Sequence, residues 1–317
     1  MWGFTTEARR EAREARAAEA VALPLERLIA LRAEAARIDS RSLRAITQLS
    51  GETRTRRRGQ GLEFDDLRLY APGDDLRRID WKATARTGAP HTRMYREERQ
   101  RGATVVVDFR ASMFTGSRRL RAVTAGEAGA ALLWGLAAAR DRTAAVAFTD
   151  LDLEVSAARN GDQGALAGAH LLAEGFALGL RRRAEKPPVR PLTEIFARVL
   201  NRAGRGFGVF VLVTGMDDPG EGFEAALGEA GERGRLAAVL VEDPLEREGL
   251  ETGVYRYRTP EGERMARLDS RARALLREKL AARSAALEGA LRRAGTPFVV
   301  PTTPQEAYAA LVAQGAL

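Results

Sequence analysis

From residue 103 onward, short apolar runs alternate with longer stretches of helical period. ATVVVDF, beginning at Ala103, is a continuous run rich in β-branched residues, as expected of a strand covered on both faces. The Ala/Leu-rich stretch 120–140 predicts a helix, TAAVAFTD a strand, 162–180 a helix, and 181–191 a basic loop with prolines. Then 192–203 reads as helix, GVFVLVTG as strand, 221–233 as helix and LAAVLVED as strand. Stretches 254–258 and 264–268 predict a hairpin around Thr259-Pro-Glu-Gly. Residues 271–294 form a long helix, 297–300 a strand and 304–314 a final helix. This alternation predicts an α/β fold, a doubly wound and mostly parallel sheet with helices on both faces. The core strands are 103–107, 143–148, 209–213 and 236–241, burying Val106, Val107, Val146, Phe148, Phe210, Leu212, Val239 and Leu240. In such folds ligands sit beyond the carboxyl ends of strands, which directs attention to loops 108–116, 150–161 and 214–220.

The first hundred residues follow a different pattern. Residues 5–38 are rich in Ala, Glu, Arg and Leu, which predicts helix, broken or restarted at Pro24. Leu23, Leu25, Leu28, Ile29 and Leu31 form its apolar stripe. Residues 51–60, carrying Arg54, Arg56, Arg57 and Arg58, read as an exposed basic loop. Residues 61–102 pack charges and aromatics with little simple period. Glu63, Asp74, Asp75 and Asp80 lie among Arg68, Arg77, Arg78 and Arg86, with Phe64, Tyr70 and Trp81 between them. Such density predicts a partly buried ionic network that either locks this segment in place or forms a docking face. Pro72-Gly73-Asp74-Asp75 is a turn signal.

The chain has 317 residues, enough for one large domain or a domain plus a smaller one. With no Cys and 2 His, it excludes a disulfide framework, an iron–sulfur cluster, a thiol nucleophile and a histidine-rich metal centre. The surplus of 51 Lys+Arg over 43 Asp+Glu gives a net charge of +8, but acids are interspersed among the bases. It reads as a mixed solvated surface, leaving an acidic protein, a nucleic acid or an anionic membrane as partners to weigh. The stretch Arg181-Arg182-Arg183-Ala-Glu-Lys186-Pro-Pro-Val-Arg190 is the sharpest basic patch, and no aromatic residue interleaves with it. No run approaches 18 apolar residues, and the start lacks a basic region followed by an apolar one. A cytoplasmic chain without a membrane span is expected. GxxxxGKS/T, HExxH and a strand-following GxGxxG are absent, and neither His91 nor His170 has an evident Ser partner. No catalytic residue is assigned.

One motif is long enough to be specific. It comprises Gly59, Gly61, Leu62, Glu63, Phe64, Arg68, Tyr70, Pro72, Gly73, Asp74, Asp75, Arg77, Ile79, Asp80, Trp81, Ala85 and Arg86. Glu98-Arg99, Asp141-Arg142, Glu242-Asp243-Pro244 and the stretch 302–311 extend it. The pattern closely resembles the bacterial "domain of unknown function 58" family over residues 45–315. The resemblance implies a von Willebrand factor A-like domain over 103–317, a family-specific insertion over 51–102 and an N-terminal helical segment over 1–50. It also implies a partnership with MoxR-type AAA+ ATPases in maturing, activating or metallating a client enzyme complex.

At the first strand end such domains carry Asp-x-Ser-x-Ser, opening a Mg²⁺-dependent adhesion site. Hard oxygens at two-residue spacing suit that ion. Here the stretch is Asp108-Phe-Arg110-Ala-Ser112-Met113, and a guanidinium cannot ligate a cation. The later carboxylates, Asp217 and Asp218, come two and three residues beyond the expected place at Gly215. The site reads as degenerate, built from Asp108, Ser112 and Asp217, with Arg110 standing where a metal would sit. No cofactor is expected, and both departures oppose Mg²⁺. Arg110, Met113, Phe114, Gly161, Thr214 and Asp218 are the candidate partner contacts. The leading reading is a non-enzymatic adaptor for the ATPase and its client. The rivals are an intact Mg²⁺-dependent adhesion module and a nucleic-acid-associated basic protein.

Overall fold

The computed structural model describes residues 19–35, 62–71, 79–97, 102–138, 142–186, 188–203, 208–233, 235–259 and 262–300. The expected basic loop 51–60, the expected turn Pro72–Asp75, Arg77, Glu98-Arg99, Asp141 and the expected closing helix 304–314 lie outside them. The chain divides into two compact units, Glu52–Gln100 and the remainder. It begins with α1 (Leu25–Ala35), followed in the smaller unit by β1 (Leu62–Leu69), α2 (Trp81–Thr87) and β2 (His91–Glu97). The larger unit continues with β3 (Gly102–Asp108), α3 (Arg121–Ala138), β4 (Arg142–Phe148), β5 (Leu153–Val155), β6 (Arg159–Asn160), α4 (Gly161–Ala184), α5 (Leu192–Ala203) and β7 (Val209–Thr214). It ends with α6 (Phe223–Arg233), β8 (Arg235–Leu240), α7 (Pro244–Glu248), β9 (Gly253–Thr259), β10 (Gly262–Leu268), α8 (Ser270–Arg293) and β11 (Phe298–Val299).

The larger unit is an α/β layer structure around a seven-stranded sheet of order β11-β8-β7-β3-β4-β5, with β6 also pairing β4. Pairings among β11, β8, β7, β3 and β4 are parallel, as the continuous apolar runs predict. Alternate strand residues enter opposite cores. Val105, Val107, Val211 and Val213 face α1, α3 and α4. Val106, Val146, Phe148, Phe210, Leu212 and Leu240 face α5, α6 and α8. All eight residues expected in the core are buried. Order reverses about β3, so the crevice between the carboxyl ends of β3 and β7 is the place this topology offers a ligand.

Two expectations need correction. The sheet has an antiparallel edge, because β5 and β6 fold back on β4 within the stretch read as a loop. Arg181, Arg182 and Arg183 close α4 rather than lie in a loop, where their charge complements the helix dipole. Arg182 is further held by Asp152 at 2.7 Å and Glu185 at 2.8 Å. Its hydrogen bond holds the Asp152 carboxyl below the usual carboxylate range. The N-terminal helix does restart at Pro24, whose carbonyl accepts from the Arg27 and Leu28 N–H groups. It belongs to the larger unit and covers α3. Trp134 Nε1 donates to Leu28 O at 2.9 Å, and every α3 residue from Arg121 to Ala137 is buried. Among the described residues no helix is long and apolar enough to cross a membrane.

In the smaller unit β1 and β2 pair antiparallel, with a register shift between Phe64 and Asp66. These strands carry too many charges to be seen by apolar period. α2 between them starts at Asp80, whose carboxylate accepts from the Lys82 and Ala83 N–H groups at 3.0 and 2.9 Å. It stops at Gly88, which takes φ +74°.

Candidate functional site

The crevice at the switch point is filled from within. β3 runs fully buried to Asp108, and the chain turns there because the Asp108 carboxylate accepts the Arg110 N–H at 2.9 Å. The Arg110 side chain folds back onto the same carboxylate. Its Nε lies 3.1 Å from both carboxylate oxygens, and its Nη2 donates to Oδ2 at 2.9 Å. Thr214, at the end of β7, donates its hydroxyl to Oδ2 at 2.6 Å. The rest of the guanidinium closes the gap between loops. Nη1 donates to Arg190 O at 3.0 Å and Nη2 to Asp217 O at 2.8 Å. Asp150 accepts the Ala111 N–H at 2.8 Å and so anchors the β4 loop to the same turn.

Arg110 is among the largest fully buried side chains, only 2% exposed. Burial pulls its guanidinium down, but the charge and hydrogen bonds of Asp108, with Asp150 and Asp217 behind, outweigh that and raise it. A buried ion pair costs desolvation unless its remaining donors are met, and here each guanidinium nitrogen has an acceptor. Forked contact of this kind is the strong, directional form of charge pairing.

This arrangement does not fit Mg²⁺. The Asp108 carboxylate is committed to the guanidinium, the turn N–H and Thr214. Ser112 Oγ is buried and finds no hydrogen-bond partner among the described residues. Asp217 offers only its carbonyl to this place. Its carboxylate turns away to Arg121 at 2.8 Å and Arg283 at 2.7 Å, and Glu246 reaches the same two arginines at 3.2 Å each. The expected convergence of Asp108, Ser112 and Asp217 is therefore corrected: Arg110 and Arg121 separate them. Among the described residues no group of three His, Asp or Glu side chains could hold a metal.

The contact candidates need correction as well. Arg110, Met113, Phe114 and Thr214 are buried and serve packing or the ion pair. Phe114 packs at a tilt against Phe176 of α4, with ring centroids 5.3 Å apart. Gly161 follows β6, which pairs with Arg142 and Thr143 at the start of β4, so it lies at the opposite end of the sheet. Asp218 alone of the six is exposed, at φ +46°. Within the family motif, Asp80 caps α2, Trp81 is 69% exposed on its first turn and Arg86 is exposed. Tyr70 donates its N–H to Pro90 O at 2.8 Å. Glu63, Phe64 and Arg68 are placed on β1, while Gly61, Pro72, Gly73, Asp74, Asp75 and Arg77 lie outside the described residues.

Four site residues escaped the sequence reading: Asp150, Arg121, Glu246 and Arg283. Arg121 carried a signal, since a cation opening a helix opposes the dipole and needs carboxylates nearby. Arg283, arriving from α8, carried none.

These features define an α/β sheet protein whose switch-point crevice is sealed by an internal arginine–aspartate pair. The chain belongs to the family described as "Protein of unknown function DUF58", whose profile matches residues 66–289. Over 59 residues it is 48% identical to an uncharacterized protein of Mycobacterium bovis and to one of Mycobacterium tuberculosis. That match spans 19% of this chain and 19% of each of those relatives. Among solved structures it is similar to the conserved hypothetical protein BatB of Bacteroides thetaiotaomicron, with a TM-score of 0.41 and 12% identity over 68% of this chain and 97% of that one. It is also similar to an aerotolerance-related membrane protein of Bacteroides fragilis, with a TM-score of 0.42 and 13% identity over 68% and 98%.

Proposed function

We propose that the protein is a non-enzymatic adaptor of chaperone type. It works beside a MoxR-type AAA+ ATPase in maturing or activating a client complex, with a von Willebrand factor A-like domain as its scaffold. The observation that carries this reading is the Asp108–Arg110 pair. The place where a doubly wound fold ordinarily takes a ligand is occupied by the chain's own guanidinium. What such a molecule offers a partner is surface rather than a reaction chamber. The resemblance of the Gly61–Arg86 motif supplies the class of partner. The test mixes the purified chain with the MoxR-type ATPase of the same genome and follows co-elution and ATP turnover. The reading expects a complex and an altered turnover that depends on this chain. Separate elution with unchanged turnover would contradict it.

A further inference from the structure

The crossover from β8 to β11 carries a ribbon, β9 paired with β10, between the short α7 and the long α8. In its register Val254 lies opposite Arg267 and Arg256 opposite Met265. Residues directly opposed share a face, so these four side chains form one surface. All four are exposed, Val254 at 61% and Met265 at 68%. Among the described residues the side chains of Arg256 and Arg267 make no ion pair or hydrogen bond, and no third strand joins the ribbon. β10 runs directly into α8, and β9 has no strand on its outer edge among the described residues.

A two-stranded ribbon is marginal alone and is stabilised by a further strand or cover. An open edge presents unpaired N–H and C=O groups, which favours strand addition by a peptide. We propose that β9 docks an extended acidic segment of a partner protein as a third strand. Carboxylates meet Arg256 and Arg267, while apolar side chains cover Val254 and Met265.

Charge selects this occupant over the others. A second copy of the ribbon would bring arginines against arginines. The segment 253–268 also contains Glu261 and Glu263, so its charge is mixed rather than uniformly basic, which suits an acidic peptide better than lipid headgroups or nucleic-acid phosphates. The proposal gives the adaptor reading a partner surface and rests on it only for the source of the segment.

The test needs no ATPase, so the two readings fail separately. Fluorescence anisotropy follows the full chain binding a short labelled peptide of alternating Glu and Val. A Lys/Val peptide, a DNA duplex and phosphatidylglycerol–phosphatidylcholine vesicles are run beside it. The expected result is saturable, salt-sensitive binding of the Glu/Val peptide alone. Arg256→Glu should weaken it about tenfold or more and confer binding of the Lys/Val peptide, with an unchanged melting curve. Four results would each overturn the proposal: no binding of the Glu/Val peptide, equal binding of both peptides, preference for duplex or vesicles, or indifference to Arg256→Glu.

Discussion

At the scale of single residues, Arg110 sets the character of the site. A guanidinium brings fixed charge and five donors, so it satisfies one carboxylate and two carbonyls at once. Arg110→Met strands the buried Asp108 carboxylate, and urea unfolding should show a loss of ~3–5 kcal/mol. The pair Asp108→Asn with Arg110→Met removes both charges and should recover much of that loss, a coupling that a double-mutant cycle measures. Additive losses would mean that the two groups do not act as a unit. The sequence made the Asp108–Arg110 conflict visible, because a cation stood two residues after the strand-end carboxylate. It could not show that Arg190 and Asp217 present carbonyls there, since those contacts span 80 and 107 positions. The reading of Met113, Phe114 and Thr214 as contacts failed for a related reason. A loop at a strand end is ordinarily exposed, but here Arg110 draws it inward over the sheet.

At the scale of elements, α1 is structural. It covers the outer side of α3, a helix with no solvent face along nearly its whole length. The fit is close at Gly126, where an added Cβ would lie 2.2 Å from Leu23 Cδ2. Leu23 is buried in the core, so it has little room to yield. Gly126→Val should therefore displace α1, lower the melting temperature and open a protease site near residue 24, whereas Gly228→Ala on α6, with open space around it, should not. An unchanged melting curve for Gly126→Val would show that α1 is not seated there. The parallel strands and main helices were legible because each buries a long apolar run. β5 and β6, of three and two residues, are too short to show a period. β1 and β2 alternate charges that mask one.

At the scale of the whole molecule, the chain divides into two compact units, and the switch-point crevice of the larger one is closed by its own Arg110. The claim joining fold to function is that Arg110 replaces a metal, so that the protein works without a divalent ion at that place. Simple reversion is obstructed elsewhere too. A Cβ added at Gly215 would lie 2.8 Å from Arg121 Nη1 and 3.1 Å from Met113 Sδ, which crowds a carboxylate restored at the expected position. Isothermal titration calorimetry of Mg²⁺ into the wild-type chain, with melting curves in Mg²⁺ and in chelator, tests the claim most directly. The account predicts no saturable heat and coincident melting curves. Tight Mg²⁺ binding that disappears in Asp108→Ala would contradict it.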